Sequence, residues 1–174
     1  EKIEVDIENK NQKAFFISKY LRKYNRIAYQ YYFLQEKQRT VLSIKTHDIL
    51  RVGKIREHVF EAEPYLREEA MVTFNMNAIR FSDAPGQPDP SPNGLFGDEA
   101  CALTRYSGMS DQLMSIGLYD YNPELDTSSI TAKQCAQMAW YFVEGISLRR
   151  NDYPIVDEND FNTYIVQIDD AEND

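Results

Sequence analysis

Apolar and polar positions along the chain change period several times, and each change marks an expected element. Gln12 to Tyr24 carries Phe15, Phe16 and Tyr20 at helical spacing, with Lys19 and Lys23 toward the end that the helix dipole favours for cations. Arg26 to Leu34 (RIAYQYYFL) is rich in Tyr and Phe and predicts a strand. Glu36 to Glu57 predicts a long helix with Val41, Leu42, Ile44, Ile49, Val52 and Ile55 on one stripe, weakened near its end by Gly53. His58 to Arg67 reads as a connection around Pro64, and Ala70 to Asn77 (AMVTFNMN) as a strand. Phe81 to Phe96 holds four prolines, which exclude a helix or a central strand. A helix then starts near Gly97 or Asp98 and runs through Tyr106, with Gly108 as its stop. Ile116 to Tyr121 predicts a strand closed by Asn122-Pro123. Thr131 and Gln134 fit a capping box, followed by an apolar stripe of Ala132, Cys135, Ala136, Ala139, Phe142, Val143 and Ile146. Phe161 to Ile168 is a last expected strand. Residues 1–11 read as a loose lead-in and 169–174 as an acidic tail.

This alternation of helix and strand predicts an α/β fold. It calls for a mostly parallel sheet of about four strands with flanking helices, in one partial domain over residues 1–174. The length, 174 residues, suffices for a real core. The chain opens on Glu1 rather than Met, as a fragment or a processed form would.

Charge narrows the partners. A formal net charge of −9 disfavours a nucleic-acid backbone and an anionic membrane surface. No apolar run approaches the ~20 residues of a membrane helix. Glu1 to Lys13 is charged throughout and does not resemble a signal peptide, so the expected location is cytoplasmic. Cys101 and Cys135 fall on apolar helix faces and are expected as buried, reduced thiols.

Candidate chemistry concentrates between Met71 and Glu99. In an open α/β sheet, ligands bind at the carboxyl ends of strands and the loops after them. On a strand, Asn75 and Asn77 would project to one face. Two aspartates so placed could bridge a pair of divalent cations; asparagine offers one neutral oxygen and no charge. From spacing alone, a local role is favoured, with both Asn side chains capping the following turn. Arg80, just past the strand, could grip a substrate carboxylate in a fork, with packing or a salt bridge about as plausible. Asp83 and Asp89 are read as solvated loop carboxylates, and Trp140 with Tyr141 and Phe142 as core or subunit contact. No Gly-rich phosphate loop, Ser-His-Asp set or C-x-x-C pair occurs.

The segment Thr73-Phe74-Asn75-Met76-Asn77, the loop with Ala84-Pro85-Gly86, and Gly94-Leu95-Phe96-Gly97-Asp98-Glu99 resemble an ordered pattern of the ureohydrolase superfamily. These are the arginases, agmatinases and formimidoylglutamases. That pattern is a strand ending S-F-D-x-D, a Pro/Gly-rich loop and a G-L-x-x-x-E helix entry. A second match is Leu118-Tyr119-Asp120-Tyr121-Asn122-Pro123 with Asp126 beyond it, and the next helix opens Thr131-Ala132. The ordered set, covering roughly Ile27 to Gly145, is closest to a bacterial formimidoylglutamase-like branch.

The resemblance implies the C-terminal half of an arginase-like doubly wound α/β/α fold. It also implies a family chemistry in which manganese ions activate a hydroxide against a guanidino or formimino carbon. The family's metal aspartates map to Asn75 and Asn77. Its acidic residue that holds the cationic end of the substrate maps to Asp120, usually Glu there and so one methylene shorter. The family's D-x-H-x-D motif is absent from this sequence, whose histidines are His47, within a predicted helix, and His58, at its end. The expectation is a hydrolase-family domain that is catalytically degenerate as this chain, with manganese weak or not bound. The alternative is a portion of an active manganese-dependent hydrolase whose other ligands lie outside these residues. Expected partners are a guanidino or formimino small molecule, and either the missing N-terminal half or a second copy of the chain.

Overall fold

A computed structural model describes residues 2–5, 24–30, 49–67 and 69–150. Strands β1 (Lys2–Val5), β2 (Tyr24–Tyr29) and β3 (Ile49–Arg51) come first. Helix α1 (Val52–Glu57), a 3-10 turn (Val59–Ala62) and α2 (Glu63–Arg67) lead to β4 (Met71–Asn75). A second 3-10 turn (Met76–Ala78) opens the proline-rich loop, which ends at α3 (Gly97–Met109). β5 (Ser115–Tyr119) and α4 (Ile130–Ser147) follow.

Among the described residues, five strands form one parallel sheet in the order β3-β2-β1-β4-β5. Two of them correct the periodicity. The expected lead-in contains β1, the central strand, pairing Lys2 to Val5 with Tyr24 to Ile27 on one side and with Met71 to Phe74 on the other. Two backbone ladders hold a segment in which Lys2 and Glu4 interrupt the apolar run that would have marked a strand in the sequence. The expected long helix from Glu36 is strand at Ile49–Arg51 and helical only from Val52. Pairing of Ile49 and Leu50 with Arg26 and Ile27 overrides a helical pattern that those apolar residues also satisfy. A register shift between Ile27 and Tyr29 sets Ala28 at φ 62. Of the helix expected over Gln12 to Tyr24, Tyr24 opens β2 instead; its other residues, the rest of the long helix over 36–48, the last strand over 161–168 and the acidic tail lie outside the described residues.

The core is built from Ile27, Val72, Phe74, Met76, Ile79, Leu95, Leu103 and Met138, each at most 1% exposed. Burying a side chain of this size contributes about 1.5–3 kcal/mol. Polar groups enter the core in pairs: Asn25 Nδ2 donates to Glu69 Oε1 at 2.9 Å, both fully buried.

Helices α3 and α4 pack backbone to backbone. Gly108 is inside α3, not its stop, and faces Gly145 of α4. A Cβ added at Gly108 would collide with the Phe142 carbonyl oxygen, and one at Gly145 with that of Arg105. Arg149 closes the end of α3, donating from Nε to the Gly108 carbonyl at 2.9 Å. This crossing turns part of the expected stripe outward: the buried residues of α4 are Thr131, Gln134, Met138 and Gly145, while Cys135 and Phe142 of the stripe pack half-buried against the core. Val143 and Trp140 lie on the opposite face, 61% and 73% exposed, so Trp140 is not part of this core.

Candidate active site

β4 ends at Asn75, and the chain turns at once into the 3-10 turn, so Asn77 is not on the strand. Asn75 makes that turn: its Oδ1 accepts from the Asn77 backbone N–H at 2.8 Å. Asn77 Oδ1 accepts from the Asp89 backbone N–H at 3.3 Å. The amide nitrogens go elsewhere, and both reach the same atom. Asn75 Nδ2 donates to Asp120 Oδ2 at 2.6 Å and Asn77 Nδ2 to that oxygen at 3.4 Å. The structure thus brings together three of the residues singled out from the sequence; Asn75 also caps the following turn as expected, whereas Asn77 ties the more distant Asp89 instead.

Asp120 reaches this position through its backbone. Tyr119, the last residue of β5, pairs with Asn75. Asp120 follows at φ 62, a left-handed conformation that Asp tolerates better than most residues. The carboxylate lies at the carboxyl edge of the sheet and is open to solvent.

The proline-rich loop is tied down along its length. Leu95 and Ala78 bond through Leu95 N–H to the Ala78 carbonyl at 2.7 Å, and Gln87 Nε2 donates to the Ile79 carbonyl at 2.8 Å. Asp83, expected as a solvated carboxylate, is a tie between the loop and α3. Its Oδ1 sits 2.8 Å from Arg80 Nε, and its Oδ2 accepts from the Gly97 N–H at 2.9 Å. Burial raises the Asp83 carboxyl, but the bonds from Arg80, Gly97 and Ser82 outweigh it and hold the group below its ordinary value. Arg80 lies 4.1 Å over the Phe96 ring while paired with Asp83, so its fork has a partner inside the chain. Glu99 closes the start of α3, accepting from the Phe96 N–H at 2.7 Å, and burial pushes its carboxyl up.

Asp126 caps α4 in place of the expected Thr131–Gln134 box. Its two oxygens accept from the Thr131 N–H at 3.2 Å and the Ala132 N–H at 2.9 Å. Thr131 Oγ1 instead accepts from the Gly86 N–H at 2.7 Å, and Gln134 Nε2 donates to the Gly97 carbonyl at 2.8 Å. Both side chains therefore bind the site loop to α4. The sequence signal for Asp126 was present only as its place four residues after Asn122; a left-handed Ser129 between it and the helix hides the cap. Cys101 is buried and Cys135 half-buried, both as free thiols, and burial raises both.

The donor set bears directly on metal chemistry. It consists of one carboxylate and two neutral amides whose oxygens already accept backbone N–H groups. Among the described residues no group of three or more His, Cys, Asp or Glu is placed to hold a metal ion. His58 is exposed beside Phe60, with ring centroids 5.4 Å apart, and His47 lies outside the described residues. Two divalent cations need bridging negative charge, and the described residues do not fit such a pair.

Comparison with known proteins places this chain in a family. The chain is 25% identical to formimidoylglutamase of Bacillus subtilis over 110 residues, 62% of this chain and 34% of that protein. It is 33% identical to formimidoylglutamase of Geobacillus kaustophilus over 101 residues, 55% of this chain and 31% of that protein. It spans about a third of the length of these relatives. In three dimensions it is similar to a Trypanosoma cruzi formiminoglutamase crystal structure that contains Mn2+. The TM-score is 0.75 at 17% identity, over 85% of this chain and 55% of that one. The crystal structure of the Bacillus subtilis formimidoylglutamase gives a TM-score of 0.65 at 19% identity, over 73% and 42%. The arginase family model matches residues 16–144, which take in β2 through most of α4 and every residue of the Asn75–Asn77–Asp120 cluster, and the chain belongs to the arginase family.

Proposed function

We propose that this chain is a catalytically degenerate arginase-family domain, related to hydrolases that cleave C–N bonds in linear amidines. One observation carries the proposal. Asn75 and Asn77, at the positions to which the metal aspartates of the family pattern map, turn N–H donors onto Asp120, which supports this reading. In this reading Asp120 receives the cationic end of a guanidino or formimino ligand. Such a ligand meets Asp120 Oδ1, since both amide bonds go to Oδ2, while Arg80 serves a carboxylate through N–H donors other than the Nε paired with Asp83.

A second reading is supported by the coverage of the relatives. A chain spanning about a third of their length leaves room elsewhere for further ligands, as part of an active manganese-dependent hydrolase. One measurement separates the two. The full protein carrying this chain is loaded with manganese, desalted and assayed for bound metal. The degenerate reading expects none retained; about two ions per chain, as a binuclear site requires, would overturn it.

A further inference from the structure

A cavity of about 190 Å³ opens among Tyr29, Gln30, Arg51, Gly53, Arg56 and Asn93. It lies at the carboxyl ends of β2 and β3, apart from the Asn75–Asn77–Asp120 cluster on β4 and β5. Among the described residues that line it, two are arginines and none is acidic, in a chain whose net charge is −9. We propose that this cavity binds a small oxyanion, a carboxylate or a phosphate.

Its walls are preformed. Arg56 donates from Nη2 to the Gly94 carbonyl, and its guanidinium stacks 4.6 Å above the Phe96 ring. A guanidinium has five N–H donors in a planar fork, so the bond to Gly94 leaves others for an oxyanion. Gln30, buried, donates to the Asn93 carbonyl at 2.7 Å and fixes the neighbouring residue of the same loop. A ligand therefore finds a positioned cation rather than a flexible one, which lowers the ordering cost of binding. Drug-sized pockets run to about 300–1,000 Å³, so this cavity admits only a small occupant. Gly53 is one of its lining residues, and a Cβ built there meets nothing within 4 Å.

That open space supplies the decisive variant. Gly53→Leu fills the cavity, removes no charge and replaces a poor helix former in α1 with a good one. Inorganic phosphate and glutarate are each titrated into the intact chain, followed by the amide resonances of Gly53, Arg56 and Asn93. At least one probe is expected to give saturable shifts there, with the apparent Kd raised at least tenfold by Gly53→Leu and by Arg56→Gln. Saturation by phosphate alone, or by glutarate alone, assigns the oxyanion to that class. No saturable shift with either probe overturns the proposal, as does saturation that Gly53→Leu leaves unchanged.

Discussion

Replacing Asn75 and Asn77 together by Asp tests what the two amides do for the fold. The substitution is nearly isosteric and keeps the oxygens that accept the Asn77 and Asp89 backbone N–H groups, so the turn itself is preserved. What changes is the pair of donors to Asp120. The 2.6 Å bond from Asn75 ends on a charged acceptor, an interaction worth about 1.5–3 kcal/mol. The 3.4 Å contact from Asn77 is long and contributes little. In place of donors, the variant sets two carboxylates against Asp120. Like charges 4 Å apart repel by about 4 kcal/mol at an effective dielectric of 20, and solvent at Asp120 screens this to a fraction. A net loss of about 3 kcal/mol follows, or about 6–12 °C in melting midpoint for a chain of this size. Manganese should reverse it, because a cation among three carboxylates binds the folded state alone. At a hundred times its Kd a ligand returns about 2.7 kcal/mol. The assay is thermal unfolding of both proteins with chelator and with Mn2+. A variant that melts with the original in chelator would refute the claim that the amides hold Asp120. A destabilised variant that manganese fails to restore would show that these positions cannot gather a cation.

Three further outcomes are expected. Gly145→Ala should lower stability by about 1–3 kcal/mol in urea unfolding, because the methyl must displace the Arg105 carbonyl, outweighing a helix-propensity gain of about 1 kcal/mol. Asp83 is held below its ordinary value of 3.8, so the unfolded chain binds its proton more readily. The stability it contributes is complete above that value and is lost as pH falls through the lower, folded-state one. Asp83→Asn should therefore cost about 1–2 kcal/mol near neutrality, the gap closing in strong acid, as followed by unfolding across pH. Finally, the exposed Trp140–Val143 face and β5, paired only with β4 among the described strands, should drive association in sedimentation. Trp140→Glu with Val143→Glu should shift the chain toward monomer, and an unchanged distribution would count against that face.

The elements nearest the site were legible because their signals are local. β4, the proline-rich loop, α3, β5 and α4 follow from apolar runs, breakers and helical spacing within a few residues of each other. What escaped is set by contacts between distant segments. β1 is four residues with two charges, and only its two neighbouring strands make it central. Ile49 and Leu50 suit a helix or a strand equally, and pairing with β2 decides. Gly108 looked like a terminator because its partner, Gly145, lies on another helix. At the site, the sequence identified Asn75, Asn77 and Asp120 as residues to watch but not the bonds that join them. Those depend on the left-handed turn at Asp120 and on a 3-10 turn that bends Asn77 off the strand. The Asp83–Arg80 pair and the Asp126 cap escaped for the same reason: loop carboxylates are common, and only the fold shows which ones meet an N–H.

The central place of β1 carries a kinetic consequence. Its partner on one side is β2, close in sequence, and on the other β4, whose Met71 pairs with Lys2 across a long span of chain. Closing that span costs entropy before any contact across it is rewarded, and parallel pairings of this kind slow folding. β1 to β3 can assemble as one unit and β4 to α4 as another, leaving the β1–β4 seam as the last to close. Until it does, each unit shows an open strand edge and part of the shared core to solvent. Refolding yield should then fall with protein concentration, through exposure of that seam rather than through instability of the finished sheet.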